Sequence, residues 1–125
     1  MAEKKRILLV DDEESITRLL ALHLEATGLY EVRAENQGAM ALTTAQRFRP
    51  HLIFLDVVMP DIGGGVVAQQ LQQDPRLKDV PVVFLTAILT KKEAEERGGI
   101  VAGRPFLAKP VSIDAVLECL KQHLD

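Results

Sequence analysis

The stretch that decides the fold is HLIFLDVVMP, residues 51–60. Four apolar residues, Leu52 to Leu55, lead directly into the carboxylate of Asp56, and Pro60 follows four positions later. A short unbroken apolar run with turn signals on both sides is typical of a strand that is buried on both faces. In an open α/β sheet, ligands bind in the crevice beyond the carboxyl ends of the strands. The pattern therefore predicts a central strand that presents Asp56 to solvent and substrate.

Three further apolar runs end in polar residues where a strand would stop. They are Ile7–Val10 before Asp11 and Asp12, Val82–Leu85 before Thr86, and Phe106–Ala108 before Lys109. Pro105 at the start of the last run predicts an edge strand, because proline cannot donate to a neighbouring strand. The alternating segment Tyr30–Ala34 carries Glu31 and Arg33 on one side, and these charges predict the other edge.

Segments with helical spacing of apolar residues separate the strands. The first helix is predicted to end at Gly28, and the second covers Gly38–Phe48 with Met40 on its apolar face. A third helix is predicted over residues 66–73, a fourth over Thr90–Arg97, and a last one after its cap at Ser112. The fourth is almost entirely polar, so we expect it to be the least stable.

The regular alternation of strand and helix predicts an α/β fold. Right-handed crossovers between successive strands give a parallel sheet with helices on both faces. For five strands the doubly wound order 2-1-3-4-5 places strands two and five at the edges, which agrees with the two edge predictions. No linker or internal repeat interrupts the pattern, so residues 1–125 are predicted to form a single domain.

Composition excludes several classes of function. The formal net charge is −3, which provides no basic field for nucleic acid or anionic lipid. The single cysteine, Cys119, cannot form an internal disulfide, and the apolar run near the start is too short for a signal peptide or membrane span. A cytoplasmic location is the expectation.

The predicted sheet brings its polar strand ends to one rim. These residues are Asp11, Asp12, Asp56, Thr86 and Lys109. Three carboxylates in one crevice repel each other unless a cation joins them, and hard oxygen ligands with positions left for water suit Mg²⁺. Together with the Lys109 ammonium, which can pair with Asp56 in the absence of phosphate, the set predicts phosphoryl transfer to Asp56.

The sequence resembles the receiver domain of two-component response regulators, the CheY-like superfamily. The resemblance is carried by LVDDE at residues 9–13, LDVVMP at 55–60, LTA at 85–87 and FLAKP at 106–110, and it spans essentially the whole chain. Each fragment alone is weak, but four in this order are specific. Two loops depart from the family pattern, since Gly63 replaces a frequent acidic residue and Ala102-Gly103 replaces Gly-Ala. These departures concern the output surface and kinetics rather than the site residues.

The resemblance implies a role for each site residue. Asp56 would accept the phosphoryl group, and Asp12, Asp56 and the backbone carbonyl of Val58 would bind Mg²⁺, with Asp11 acting through water. Thr86 and Lys109 would contact the phosphoryl oxygens. Phe106 would be the switch residue, and Lys109–Pro110 the family's usually cis peptide bond.

The resemblance also implies partners. These are a histidine kinase or histidine phosphotransfer protein as donor, and an effector domain or protein as target. The output surface, and a dimer interface, would combine the predicted helix 4, strand 5 and helix 5. Such a protein is a phospho-acceptor switch rather than an enzyme that turns over small molecules.

Three alternatives share the fold. An aspartate-nucleophile phosphatase needs a second aspartate two positions after the nucleophile, and Val58 stands there. A flavodoxin-like protein would use aromatic residues to stack on flavin, and the chain has no tryptophan and one tyrosine. A degenerate receiver that only binds partners would not need the complete set of acids, threonine and lysine.

Overall fold

The computed structural model describes residues 3–87, 100–101 and 104–124, with only the backbone described at 100 and 101. The strands are β1 (Lys5–Val10), β2 (Tyr30–Glu35), β3 (Leu52–Asp56), β4 (Val82–Thr86), β5 (Ile100–Val101) and β6 (Arg104–Ala108). The helices are α1 (Glu14–Ala26), a 3₁₀ turn (Gly38–Met40), α2 (Ala41–Phe48), α3 (Gly64–Gln73) and α4 (Ile113–Leu124). The predicted helix over Thr90–Arg97 lies outside the described residues.

The strands form one sheet in the order β2-β1-β3-β4-β6-β5. All pairs from β2 to β6 are parallel, so the five predicted strands have the predicted order 2-1-3-4-5. Every residue of β3 is buried, which confirms that it is the central strand. This topology places the carboxyl ends of β1, β3, β4 and β6 along one rim.

The predicted edge position of the Phe106 strand is wrong. The two-residue strand β5 pairs with β6 antiparallel, opposite Arg104 and Pro105, and is the outermost strand on that side. Proline lacks only the N–H donor and keeps its carbonyl, so Pro105 removes one hydrogen bond without preventing the pairing as a whole.

Two apolar cores lie on opposite faces of the sheet. Alternate residues of β1 and β3 belong to different cores, as the period of two in a strand requires. One core combines Leu8, Val10, Ile53 and Leu55 with apolar residues of α2 and α3. The other combines Ile7, Leu9, Leu52 and Phe54 with apolar residues of α1 and α4. The strands are therefore held from both sides, and their ends are fixed relative to one another.

The beginning of the second helix differs from the prediction. A 3₁₀ turn covers Gly38–Met40 before α2 begins at Ala41. Three residues per turn instead of 3.6 rotate Met40 away from the apolar face, and its exposed fraction is 43%. The predicted stop of α1 is confirmed, since Gly28 follows the helix with a φ of 77°. Among the described residues, no helix has the length and apolar character needed to cross a membrane.

Candidate functional site

The turn between β1 and α1 supplies two neighbouring acids with different surroundings. Asp11 is completely buried, whereas Asp12 is exposed. The Asp11 backbone N–H donates to the carbonyl of Glu35 at 3.1 Å, so β2 holds the start of the turn. The Asp11 Oδ1 atom accepts the N–H of Glu13 at 2.9 Å, which closes the turn on itself. The acidic turn is therefore fixed before any ligand arrives.

Asp56 is the last residue of β3 and is 4% exposed. Its Oδ1 atom accepts the Val58 N–H at 3.4 Å. One carboxylate oxygen from each of Asp11, Asp12 and Asp56 lies within 4.8 Å of the others. Burial first, and then the negative charge of Asp11, raise the pKa of Asp56 from 3.8 to about 6, against the opposing effect of Lys109.

Lys109 follows β6 and places its ammonium among three carboxylates. Its Nζ atom lies 2.7 Å from Asp11, 3.3 Å from Glu13 and 3.5 Å from Asp56. The shortest contact is thus with Asp11, although pairing with Asp56 was the expectation from sequence. Burial lowers the pKa of Lys109, but the hydrogen bond and charge of Asp11, helped by Asp56 and Glu13, outweigh it and leave the pKa above 10.5. Lys109 is therefore cationic throughout the neutral range.

The remaining predicted residues lie at or near the same rim. Thr86 ends β4 and is buried, and its carbonyl accepts the Lys109 backbone N–H at 2.7 Å. Phe106 lies within β6 and is buried, at 3% exposure. The peptide bond between Lys109 and Pro110 is cis, the isomer expected from the sequence. Val58 has an exposed side chain, at 59%.

Two hydrogen bonds fix the loop after Asp56. The Gly64 N–H donates to the carbonyl of Val57 at 2.8 Å. A Cβ atom on Gly64 would overlap the carbonyl oxygen of Asp56 and lie 2.8 Å from the Cα of Val57, so α3 can approach only with glycine here. The Asp61 carboxylate accepts the Ala39 N–H at 2.9 Å and joins the loop to the 3₁₀ turn.

Two contributors to the site were not among the predicted site residues. Asn36 donates through Nδ2 to the Asp11 carbonyl at 2.8 Å and to the Thr17 hydroxyl at 3.0 Å, which links the acidic turn to α1. Asn36 directly follows β2, so the rule that polar strand ends share a rim would have found it. Glu13 contacts Lys109, which is 96 positions away in the sequence, and no local pattern signals that contact.

The donor set fits a hard divalent cation. Three carboxylates approach one another closely, and burial first, and then the negative charge of Asp11, raise the pKa of Asp56; a cation would relieve the second of these effects. Oxygen ligands on one side, with Asp12 open to solvent, favour Mg²⁺ that keeps several water ligands over a fully enclosed ion. Next to this cluster stands a fixed ammonium, so the rim can neutralise the oxygens of a phosphoryl group on two sides.

Comparisons with known proteins agree with this geometry. A profile described as the response regulator receiver domain matches residues 7–121. The polar-differentiation response regulator DivK of Brucella anthropi is 33% identical over 122 residues, which cover 96% of each chain. The transcriptional regulator RpaA of Synechocystis is 34% identical over 112 residues, 90% of this chain and 46% of that protein, so the likeness spans about half of RpaA. The structure of the chemotaxis protein CheY4 of Vibrio cholerae superposes with a TM-score of 0.82 at 30% identity, over 98% of this chain and 100% of that chain.

Proposed function

Because the chain belongs to the receiver domain family of two-component response regulators, we propose that Asp56 accepts a phosphoryl group from a phosphohistidine. The donor would be a histidine kinase or a histidine phosphotransfer protein. A carboxylate oxygen of Asp56 attacks the phosphorus, the P–N bond breaks, and the departing imidazole takes a proton from solvent. The product is an aspartyl phosphate on β3 and a neutral histidine on the donor.

One observation carries the proposal, the position of Asp56. It is a buried carboxylate that lies within 4.8 Å of two other acids and 3.5 Å from the ammonium of Lys109, whose side chain is 9% exposed. Its raised pKa of about 6 still leaves most of it ionised near neutral pH, so it remains a nucleophile. Among the described residues, Asp11 shares the burial, the acidic cluster and the contact with Lys109. Asp56 differs from Asp11 because it ends the central strand β3, where the crevice of the sheet opens.

Mg²⁺ is the cofactor we propose, held by Asp12, Asp56 and the backbone carbonyl of Val58, with Asp11 acting through water. When bound, the ion would neutralise charge on the phosphoryl oxygens. Asp11 is already engaged with Lys109 at 2.7 Å, whereas Asp12 is exposed and has no ion pair among the described residues. This difference supports Asp12 as the stronger ligand of the two.

Phosphorylation would be read out through the β4 and β6 ends of the sheet. Thr86 would move towards the phosphoryl group and Phe106 would respond to the space it leaves. The Lys109 backbone N–H bonds to the Thr86 carbonyl at 2.7 Å, so the two phosphate-contacting residues are linked through their backbones. The proposed output face includes β6 and α4, together with residues 90–97, which lie outside the described residues. A downstream effector, or a second receiver in a dimer, would bind this face.

Intact-protein mass spectrometry tests the proposal. Incubation with acetyl phosphate and Mg²⁺ should add one phosphoryl group, which hydroxylamine removes, and omission of Mg²⁺ should prevent the addition. Asp56→Asn should not be modified, whereas the control Asp61→Asn, which changes an exposed acid of the same loop, should be modified like the wild type. Full modification of Asp56→Asn would reject the assignment.

Metal titration tests the order of the ligands. Mg²⁺ affinity should fall more in Asp12→Ala than in Asp11→Ala, because Asp11 is expected to act through a water molecule. Equal losses, or a larger loss for Asp11→Ala, would show that the two roles are assigned incorrectly.

A further inference from the structure

Lys109 has an ion-pair partner that is not part of the proposed metal site. Of the three carboxylates around its ammonium, those of Asp11 and Asp56 are 1% and 6% exposed, whereas that of Glu13 is 54% exposed. Asp11 and Asp56 also belong to the acidic cluster, and Glu13 does not. Glu13 therefore covers the solvent side of the ammonium.

The backbone of Glu13 is fixed although its carboxylate is exposed. Its N–H donates to Asp11 at 2.9 Å, and its carbonyl accepts the N–H groups of Ile16 at 3.1 Å and Thr17 at 3.2 Å. The side chain thus starts from a rigid point beside the crevice and reaches Lys109 from outside. Because the side chain of Glu13 is 54% exposed and its backbone bonds do not involve the carboxylate, it can swing away without disturbing α1 or the acidic turn.

An ammonium group has three N–H donors, and three carboxylate groups lie within 3.5 Å of this one. A phosphoryl oxygen that is to bond Lys109 must take the place of one of them. Asp11 and Asp56 are held inside the fold, so Glu13 is the partner that can leave at the lowest cost. An anionic donor that approaches the crevice also meets the charge of Glu13 before it meets Lys109.

We propose that Glu13 is a specificity-determining residue of the phosphoryl-transfer site, one that selects against small, highly charged phosphodonors. Its carboxylate occupies the solvent side of the Lys109 ammonium and repels a donor that brings only negative charge. A protein donor that supplies its own contacts to the receiver can displace this carboxylate readily, whereas a small anion lacks such contacts and reacts more slowly. The inference rests on the proposed function, since it requires phosphoryl transfer to Asp56.

The variant Glu13→Gln removes the charge and keeps the shape. An exposed ion pair contributes about 0.2–1 kcal/mol, so the second-order rate of phosphorylation by acetyl phosphate should rise about 1.4- to five-fold. Phosphoramidate carries less negative charge than acetyl phosphate near neutral pH, so its rate should rise less. Both gains should shrink towards one in about 1 M salt, where screening is strong.

Glu14→Gln is the matched control. Glu14 is the next residue, it is also exposed, and its carboxylate pairs with Arg18 at 3.1 Å instead of Lys109. Loss of the same charge one position along the chain should leave the ratio of the two donor rates unchanged. Mg²⁺ affinity, measured without donor, should change less than two-fold in Glu13→Gln, because Glu13 lies outside the acidic cluster.

The outcomes separate this inference from the proposed function. A larger gain over the wild-type rate with acetyl phosphate than with phosphoramidate, seen in Glu13→Gln and absent in Glu14→Gln, supports the role of Glu13, and equal gains with both donors would overturn it. Equal rates in wild type and Glu13→Gln, a slower reaction, or a large loss of Mg²⁺ affinity would overturn the inference and leave Asp56 as the acceptor. A wild-type protein that neither donor phosphorylates would overturn the proposed function, and this inference with it.

Discussion

The carboxylate of Asp56, the proposed acceptor, should destabilise the folded state. Asp56 is 4% exposed, and burial together with the charge of Asp11 raises its pKa from 3.8 to about 6. A carboxyl group whose pKa is higher in the folded state binds more protons there than in the unfolded chain. The contribution of Asp56 to the unfolding free energy is therefore most favourable below pH 4, and this contribution is lost as the pH rises through 6. Asp56→Asn removes the ionisation and keeps the shape of the side chain.

The size of the effect follows from the shift. A difference of about two pKa units corresponds to about 3 kcal/mol of unfolding free energy, since each unit contributes about 1.36 kcal/mol. We therefore expect Asp56→Asn to be more stable than the wild type by up to about 3 kcal/mol above pH 7, and by about half as much at pH 5. The same substitution would remove the nucleophile of the proposed reaction.

Urea unfolding between pH 5 and 8, in the presence of a chelator so that no divalent cation binds, measures this difference. Asp61→Asn is a control for which the opposite change in unfolding free energy is expected. The pKa of Asp61 is lowered, mainly by the hydrogen bond from the Ala39 N–H, so the fold favours the charged form of this carboxyl group. That variant should be less stable than the wild type near neutral pH. Asp56→Asn with no gain above pH 7, or with a gain that does not depend on pH, would refute the reasoning.

Three further predictions test separate parts of the account. Gly64→Ala should lower the unfolding free energy in urea by about 1–3 kcal/mol, because the added Cβ overlaps backbone atoms. Gly65→Ala is the control and should be neutral or stabilising, because a Cβ there has nothing within 4 Å. Equal effects of the two substitutions would contradict the prediction. Burial first, and then the charge of Arg6, lower the pKa of His51, whose Nδ1 accepts the backbone N–H of Arg6 at 2.9 Å. The unfolding free energy of the wild type should therefore fall as the pH drops below 6.5, and His51→Asn should reduce this dependence on pH. Curves of unfolding free energy against pH that run parallel for the two proteins would refute the prediction. Val58→Asn should shorten the lifetime of the phosphorylated protein, because a polar group can orient the attacking water where an exposed valine cannot; decay at the wild-type rate would contradict it.

Strand ends were the part of the site that the sequence could predict. The apolar run at Leu52–Leu55 required a strand buried on both faces, and parallel topology then brought the ends of β1, β3, β4 and β6 to one rim. The spacing of apolar residues indicates the buried strand, and the right-handed crossovers indicate the parallel topology. Both rules can be applied to the sequence alone. The acids, Thr86 and Lys109 could thus be assigned to one crevice before any coordinates.

Contacts that depend on side-chain rotamers or on pairing at a distance could not be predicted. Lys109 lies 2.7 Å from Asp11 and 3.5 Å from Asp56. The difference is less than 1 Å and depends on the side-chain rotamers, which a sequence pattern does not predict. The contact of Glu13 with the same ammonium has no local signal for the same reason. The outer strand β5 is only two residues long, which is too short for an alternating pattern to be recognised.

The central claim is that Asp56 is the residue that carries the phosphoryl group. Borohydride reduces an aspartyl phosphate to homoserine, which tandem mass spectrometry can locate in a peptide. After incubation with acetyl phosphate and Mg²⁺, the account predicts homoserine at position 56 and at neither Asp11 nor Asp12. Homoserine at either of those two acids, or at an exposed acid such as Asp61, would contradict it.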